Sequence, residues 1–296
     1  MEEFSFEKAS KFKKEDSFFD INYLWVPGLK WAVGRLYYTS VRPEGIVLLS
    51  LIAGIVSAYL FSQGDYLASI VGVFFIQLKN FLDTVDGYLA RAKNMTSRLG
   101  RFLDSLADAL VYICLFTGIA INLGQKGNLA AAYLLSYTAM LSAFLQCSVY
   151  NYYLVSYKTL LNGRGINRTD ESFDDDDKGG LSDRLLFVLQ FIYQFVYGWQ
   201  DRFVTGIDKF MLKYNENKNR PQIEKMETQW YGDKTFLAAV SPLCFGTQIL
   251  LLSIFTILDD ISFFLILMIT AGNLYTLFIL AIKAVTIKLP TLKKQG

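Results

Sequence analysis

The chain has 296 residues, of which 53% are hydrophobic, 16% aromatic and 19% charged, and its mean hydropathy is +0.30. That balance fits a charged soluble domain poorly and excludes a disordered chain. The 29 Lys and Arg against 27 Asp and Glu leave a formal charge of +2, too even to suggest nucleic acid as a partner.

Residues 1–42 read as a cytoplasmic or interfacial segment. The first twenty are charged and contain no apolar stretch with a small-residue cleavage site, so the first true span is expected to act as its own membrane signal. From Phe18 to Tyr38, Tyr23, Trp25, Trp31, Tyr37 and Tyr38 alternate with Lys30 and Arg35, a mixture suited to the headgroup layer. An amphipathic helix lying on the cytoplasmic surface is the expectation, with an ordinary aromatic anchor as its plainest role.

Apolar runs then follow near 46–62, 66–82, 102–121, 129–157, 235–257 and 261–287. Each is about long enough to cross a hydrocarbon core, which takes roughly 20 residues per helix. The run from Leu185 to Trp199 is shorter and carries Gln190 and Gln194, so it reads as an interfacial or half-inserted helix. Lys and Arg test the count, because they gather on the cytoplasmic side. They crowd before the first span, at Arg91, Lys93, Arg98 and Arg101 between the second and third, after the fourth, and at Lys288, Lys293 and Lys294. The opposite loops hold only Lys126.

The fold class expected is therefore all-α and polytopic, with six transmembrane helices and both termini inside. Residues 43–288 form the membrane domain, 159–234 a cytoplasmic or interfacial insertion between the fourth and fifth spans, and 289–296 a cytoplasmic tail. Within the insertion, Asp174 to Asp177 read as a solvated connection rather than a metal site, and Asn167-Arg168-Thr169 falls on the side where glycosylation does not occur. No internal repeat is evident, and no apolar run shows a small-residue pattern clean enough to name a dimer face.

Chemistry is constrained by what is missing. Histidine is absent, which removes imidazole triads and His metal ligands, and Cys114, Cys147 and Cys244 sit in apolar runs with no CxxC pair. Acid/base work falls to carboxylates. Asp83 and Asp86, ending the second span, are roughly 60° apart around a helix, and Asp104 and Asp108, opening the third, about 40° apart. The short turn between the spans suggests antiparallel neighbours, so four aspartates would converge near the cytoplasmic surface. Four carboxylates that close must take up protons or gather positive charge. An all-oxygen ligand set suits Mg2+ or Mn2+, and two ions about 4 Å apart are one way to clamp a transferring phosphoryl centre. Gly87 and Gly100 remove side chains from the carboxylate-bearing faces. The plainer alternative is an ionic seam with Lys79, Arg91, Lys93 and Arg101. The complete spacing of eight positions, however, has a chance probability on the order of 10^-8 at ordinary residue frequencies.

That spacing is Asp83-Thr-Val-Asp86-Gly87-Tyr-Leu-Ala90-Arg91, followed by Gly100, Asp104 and Asp108. It resembles the signature of the CDP-alcohol phosphotransferase family. The resemblance implies a membrane transferase of substituted phosphate groups, moving a phosphoalcohol from a CDP-activated donor to an acceptor hydroxyl with release of CMP. It implies that Asp83, Asp86 and Asp104 hold metal, with Asp108 completing the site and serving as general base. Asp83, Gly87, Ala90, Arg91 and Gly100 would face the nucleotide, Arg91 either pairing with phosphate or locking the loop. One departure is Arg42-Pro43-Glu44-Gly45-Ile46-Val47, where the family often has Pro-Asn and then Thr. Tyr150, Asn151, Tyr153 and Lys158, with Arg164 and Arg184 beyond, are candidates for the acceptor pocket.

The leading expectation is phospholipid synthesis from CDP-diacylglycerol or a related CDP-lipid. Transfer from CDP-choline or CDP-ethanolamine to diacylglycerol would use the same carboxylates, and so would joining two polyols. An ion transporter or a membrane scaffold are the readings from other classes, though carboxylates beside a basic loop suit a soluble headgroup better than a conduction path. The expected partners are the CDP-linked donor, the alcohol acceptor and membrane lipid. Related folds often pair, which is compatible with a homodimer. The lack of targeting signals leans towards a cell membrane rather than an endomembrane.

Overall fold

The computed structural model describes residues 4–10, 18, 25–162, 181–218 and 228–285, without the side chains of Lys8, Arg98, Asn162, 181–186 and 214–218. The described residues form helices and no strand. Two precede the spans: α1 (Phe6–Ala9) and α2 (Val26–Tyr37). Four long helices follow: α3 (Pro43–Ser62), α4 (Tyr66–Ala92), α5 (Arg98–Gln125) and α6 (Leu129–Asn162). The insertion holds α7 (Leu181–Val196) and α8 (Gly198–Lys218). The chain then runs through α9 (Lys234–Val240) and α10 (Phe245–Ile257) to α11 (Ile261–Leu267) and α12 (Asn273–Val285).

The spans end where their caps put them. Pro43 opens α3 at a position that needs no amide donor. Gly64 turns with φ of 72°, and Asp65 then accepts from the Ala68 amide at 2.8 Å to start α4. At the other end Asn94 reverses the chain with φ of 54°, and Ser97 caps α5 by accepting from Gly100 N at 3.0 Å. The Lys93 ammonium reaches back to the carbonyls of Thr39 and Val41 at 2.8 and 2.7 Å, tying the α2–α3 connection to the end of α4.

Five helices are long and apolar enough to span: α3, α4, α5, α6 and the α11–α12 rod. A sixth crossing is made if α9 and α10 are taken together, and there the structure corrects the expected continuous helix. The pair, Lys234–Leu243 and Phe245–Ile257, is bent by 42° at the break between them, just after the turn Ser241–Leu243. Pro242 has no amide to donate, and Cys244 is extended with ψ of 157°, so the ladder is interrupted. A second irregularity is a π turn at Met268–Gly272 between α11 and α12. The Gln146 amide of α6 fills the widened turn, donating to Met268 O and Asn273 Oδ1, both at 2.9 Å.

The two aspartate-bearing helices were expected to be antiparallel neighbours whose carboxylates face each other across a small gap; α3 packs closely along both, and their backbones stand apart across that gap. The reason lies in small residues on one face of α3: Ser50, Gly54, Ser57 and Ala58. Ser57 Oγ donates to Gly72 O of α4 at 2.8 Å, and Asn122 of α5 donates to Phe61 O at 2.9 Å. This is the small-residue packing that membrane helices use for close approach, turned inward. Gly118 of α5 lies so near the Ala58 carbonyl that an added Cβ would collide with it. Gly118→Ala is therefore expected to cost about 1–3 kcal/mol by overpacking. The check is a lower melting temperature in detergent than that of Gly45→Ala, since no atom lies within 4 Å of a Cβ at Gly45.

Ahead of the bundle, α2 buries Leu29, Ala32 and Val33 against α4 and leaves Trp31 68% exposed. This is the two-faced helix expected over 18–38, although of that stretch only 18 and 25–38 are described.

Candidate active site

Asp83 lies on α4 three turns or so before its end, and Asp104 and Asp108 lie in the first turns of α5. The separation imposed by α3 leaves a cavity of about 710 Å3 between the helices. Across it, carboxylate oxygens of Asp83, Asp104 and Asp108 all come within 4.8 Å of one another. Their one-face spacing on each helix is what the sequence reading relied on. Asp86 is 94% buried and lines the same cavity, but is not part of that group of three. Its three-residue step rotates it away from Asp83 and nearly one turn further along the helix.

Lys79, one turn before Asp83, is only 3% exposed. Its ammonium donates to Asp83 Oδ1 at 3.0 Å and to Asp108 Oδ1, so it joins the two helices. The sequence carried the signal for it, as an ionisable residue inside a span. Asp104 Oδ1 is buried without a hydrogen-bond partner. An acceptor left in that state is costly, and with an all-oxygen donor set the triad fits a hard divalent cation. Zinc is disfavoured, because no Cys or His belongs to the group.

The remaining motif positions gather around the same cavity: Gly87, Ala90, Arg91 and Gly100 all line it. A Cβ on Gly87 would touch Arg91 Nη1 at 3.4 Å, and one on Gly100 would press the Ser97 cap at 3.0 Å. Arg91 is engaged by the N-terminal segment. Its Nε donates to Ala9 O at 2.6 Å and its guanidinium stacks on the Tyr88 ring at 4.8 Å, so these contacts hold the N-terminal segment rather than the loop after α4. Its Nη2 is buried with no partner, which keeps a donor for an anion. Nothing in the sequence of α1 announced this contact, since it depends on how residues 4–10 fold back onto α4.

Of the acceptor-side candidates, Tyr150, Asn151 and Lys158 of α6 line the cavity. Tyr153 is turned away, its hydroxyl donating to Asp208 Oδ1 at 2.6 Å. Arg164 lies outside the described residues, and so does the side chain of Arg184. Pro43 and Glu44, at the corner where the family pattern departs, also line the cavity. Two walls were not anticipated. Cys244 and Phe245 at the break before α10 supply one, and Tyr197 beyond α7 supplies the other, its hydroxyl donating to Ser105 O at 2.9 Å.

The comparisons agree with this geometry. The model of the CDP-alcohol phosphatidyltransferase family matches residues 40–162, which run from the start of α3 to the end of α6. The inner membrane protein YnjF of Escherichia coli is 32% identical over 109 residues, 37% of this chain and 51% of that protein. The CDP-diacylglycerol–glycerol-3-phosphate 3-phosphatidyltransferase of Aquifex aeolicus is 39% identical over 66 residues, 22% of this chain and 35% of that one. The archaetidylinositol phosphate synthase of Pyrococcus horikoshii is 32% identical over 83 residues, 28% and 42% of the two chains. The chain thus spans about half the length, or less, of these relatives. It is an integral, multi-pass membrane protein whose residues 40–162 carry the aspartate signature. That stretch is similar to the CDP-alcohol phosphatidyltransferase family.

Proposed function

We propose that this protein transfers a phosphatidyl or phosphoalcohol group from a CDP-activated donor, CDP-diacylglycerol or a related CDP-lipid, to an acceptor hydroxyl with release of CMP. The observation that carries the reading is the meeting of Asp83, Asp104 and Asp108 across a cavity that the rest of the motif also lines. In this reading residues 43–288 are the catalytic membrane domain, 159–234 an insertion that walls it, and the site opens to the cytoplasm of a cell membrane.

Asp83, Asp86, Asp104 and Asp108 would hold a hard divalent cation, Mg2+ or Mn2+, whose charge offsets that of the donor pyrophosphate and the departing CMP. The acceptor oxygen bonds to the phosphorus bearing the alcohol, the anhydride bond to CMP breaks, and the hydroxyl proton passes to Asp108. Arg91, fixed by Ala9 and Tyr88, offers its free Nη2 to a donor phosphate. Gly87, Ala90 and Gly100 leave room for the nucleotide. Lys158, on the α6 wall of the cavity, suits an anionic group on the acceptor, and Arg184 is proposed for the same side.

Nucleotide binding tests this independently of turnover. In the presence of Mg2+ or Mn2+, CMP or a CDP-linked ligand is expected to raise the melting temperature of the purified protein, and chelation or Asp83→Asn should abolish the shift. Absence of any shift with CMP, CDP-choline and CDP-diacylglycerol in the presence of either ion would overturn the reading.

A further inference from the structure

Helix α8 sorts its charges by face. Asp201 and Asp208 are buried, on the side that also buries Val204 and Met211. Arg202, Lys209 and Lys213 are exposed, and so are Trp199, Phe203 and Phe210 between them. Steps of three and four residues gather these six on one strip about 120° wide, with Gly206 at its middle. No acid among the described side chains of α8 shares the strip, and no ion pair among the described residues engages its three cations. Aromatic rings interleaved with Lys and Arg are the composition of a helix lying in the headgroup layer.

The depth of α8 agrees. Helix α6 runs 34 residues, about 51 Å, against a hydrocarbon core of about 30 Å. Entering from the loop that holds Lys126, it needs roughly 20 residues to cross, which brings it to Ser148. There Ser148 Oγ donates to Gln200 Oε1 at 2.7 Å, and Tyr152 and Tyr153 one turn on donate to Asp208. So α8 is fastened to α6 where the hydrocarbon ends. Its strip continues into exposed Phe187, Phe191 and Phe195 of α7, an apolar edge continuous with the spans.

We propose that the outer strip of α8 docks the insertion on an anionic bilayer surface, Trp199, Phe203 and Phe210 entering the acyl boundary while Arg202, Lys209 and Lys213 hold acidic headgroups. No residue of α8 lines the aspartate cavity, so the proposal stands apart from the transferase reading.

Gly206 supplies the probe position, because no atom lies within 4 Å of a Cβ added there. Gly206→Cys is spin-labelled in the full chain, in nanodiscs of phosphatidylcholine with or without phosphatidylglycerol, and collision with a neutral water-soluble nickel chelate is read by electron paramagnetic resonance. Wild type taken through the same labelling gives the background from the three native cysteines. The nitroxide is expected to be several-fold less accessible to nickel when phosphatidylglycerol is present. Adding Arg202→Gln, Lys209→Gln and Lys213→Gln together should remove that difference, and raised salt should reduce it. Full access in both bilayers would overturn the proposal and leave the strip to a soluble acidic partner. Equal shelter in both would overturn it too, reducing the strip to an aromatic anchor, as would a lipid dependence that survives the triple substitution. Because Gly206→Cys with its charges intact can already contradict the proposal, misfolding of the triple variant does not shield it.

Discussion

Asp108→Asn is expected to lower CMP formation about 10^3-fold, within the range of 10^2 to 10^4 associated with losing a positioned general base. The substitution keeps the size of the side chain but removes the charge that would take the acceptor proton. It also weakens the hold on Lys79, which retains its bond to Asp83 at 3.0 Å. The variant should therefore fold, with a melting temperature close to that of wild type, and still bind CMP through an ion held by Asp83, Asp86 and Asp104. Loss of turnover with binding preserved places the defect in the proton-transfer step. Unchanged turnover would remove Asp108 from the mechanism and point to Asp83 or Asp104 for the proton.

The largest stability effect is expected far from the triad, at Asp208 of α8. This carboxylate is fully buried and accepts four hydrogen bonds. Tyr153 and Trp230 donate to Oδ1 at 2.6 and 2.8 Å, and Tyr152 and Tyr231 to Oδ2 at 2.9 and 2.8 Å. Trp230 in turn accepts from the Lys283 ammonium of α12 through its carbonyl at 2.7 Å, so one cluster joins the insertion to α6 and the last span. Asp208→Ala strands these donors in the interior and should cost about 3–5 kcal/mol. For a chain of this size that corresponds to a fall in melting temperature of roughly 10 °C. Asp208→Asn should lose less, because its amide can donate to the two tyrosine hydroxyls on one side while its oxygen still accepts from Trp230. Equal losses for Ala and Asn would show that charge, rather than hydrogen bonding, holds the cluster.

The spans and the aspartate site were legible because each depends on a local repeat. Hydropathy marks a crossing within one segment, and steps of three or four residues put Asp83 on one helix face and Asp104 with Asp108 on another. The break in the fifth crossing was not read, although Pro242 carries a signal for it. What could not be read were features set by a partner distant in the chain. Gln146 opens the π turn from 122 residues away, and Ala9 captures Arg91 from 82 residues away. The separation of α4 from α5 depends on which face of α3 carries its small residues, and the spacing Ser50, Gly54, Ala58 becomes meaningful only once Gly118 and Gly72 are seen against it. Lys79 was visible as a charge in a span, but its reach to Asp108 required the fold.

Coupling between the two products tests the central claim most directly. With purified protein in lipid vesicles, a divalent ion, CDP-diacylglycerol or CDP-choline, and a panel of alcohol acceptors, CMP and the new phosphodiester are quantified in the same samples. The account predicts that one donor and acceptor pair yields the two in equal amounts, that both vanish on chelation, and that both return when Mg2+ or Mn2+ is restored. Failure of every pair to give CMP, or release of CMP with no acceptor-linked product, would contradict it.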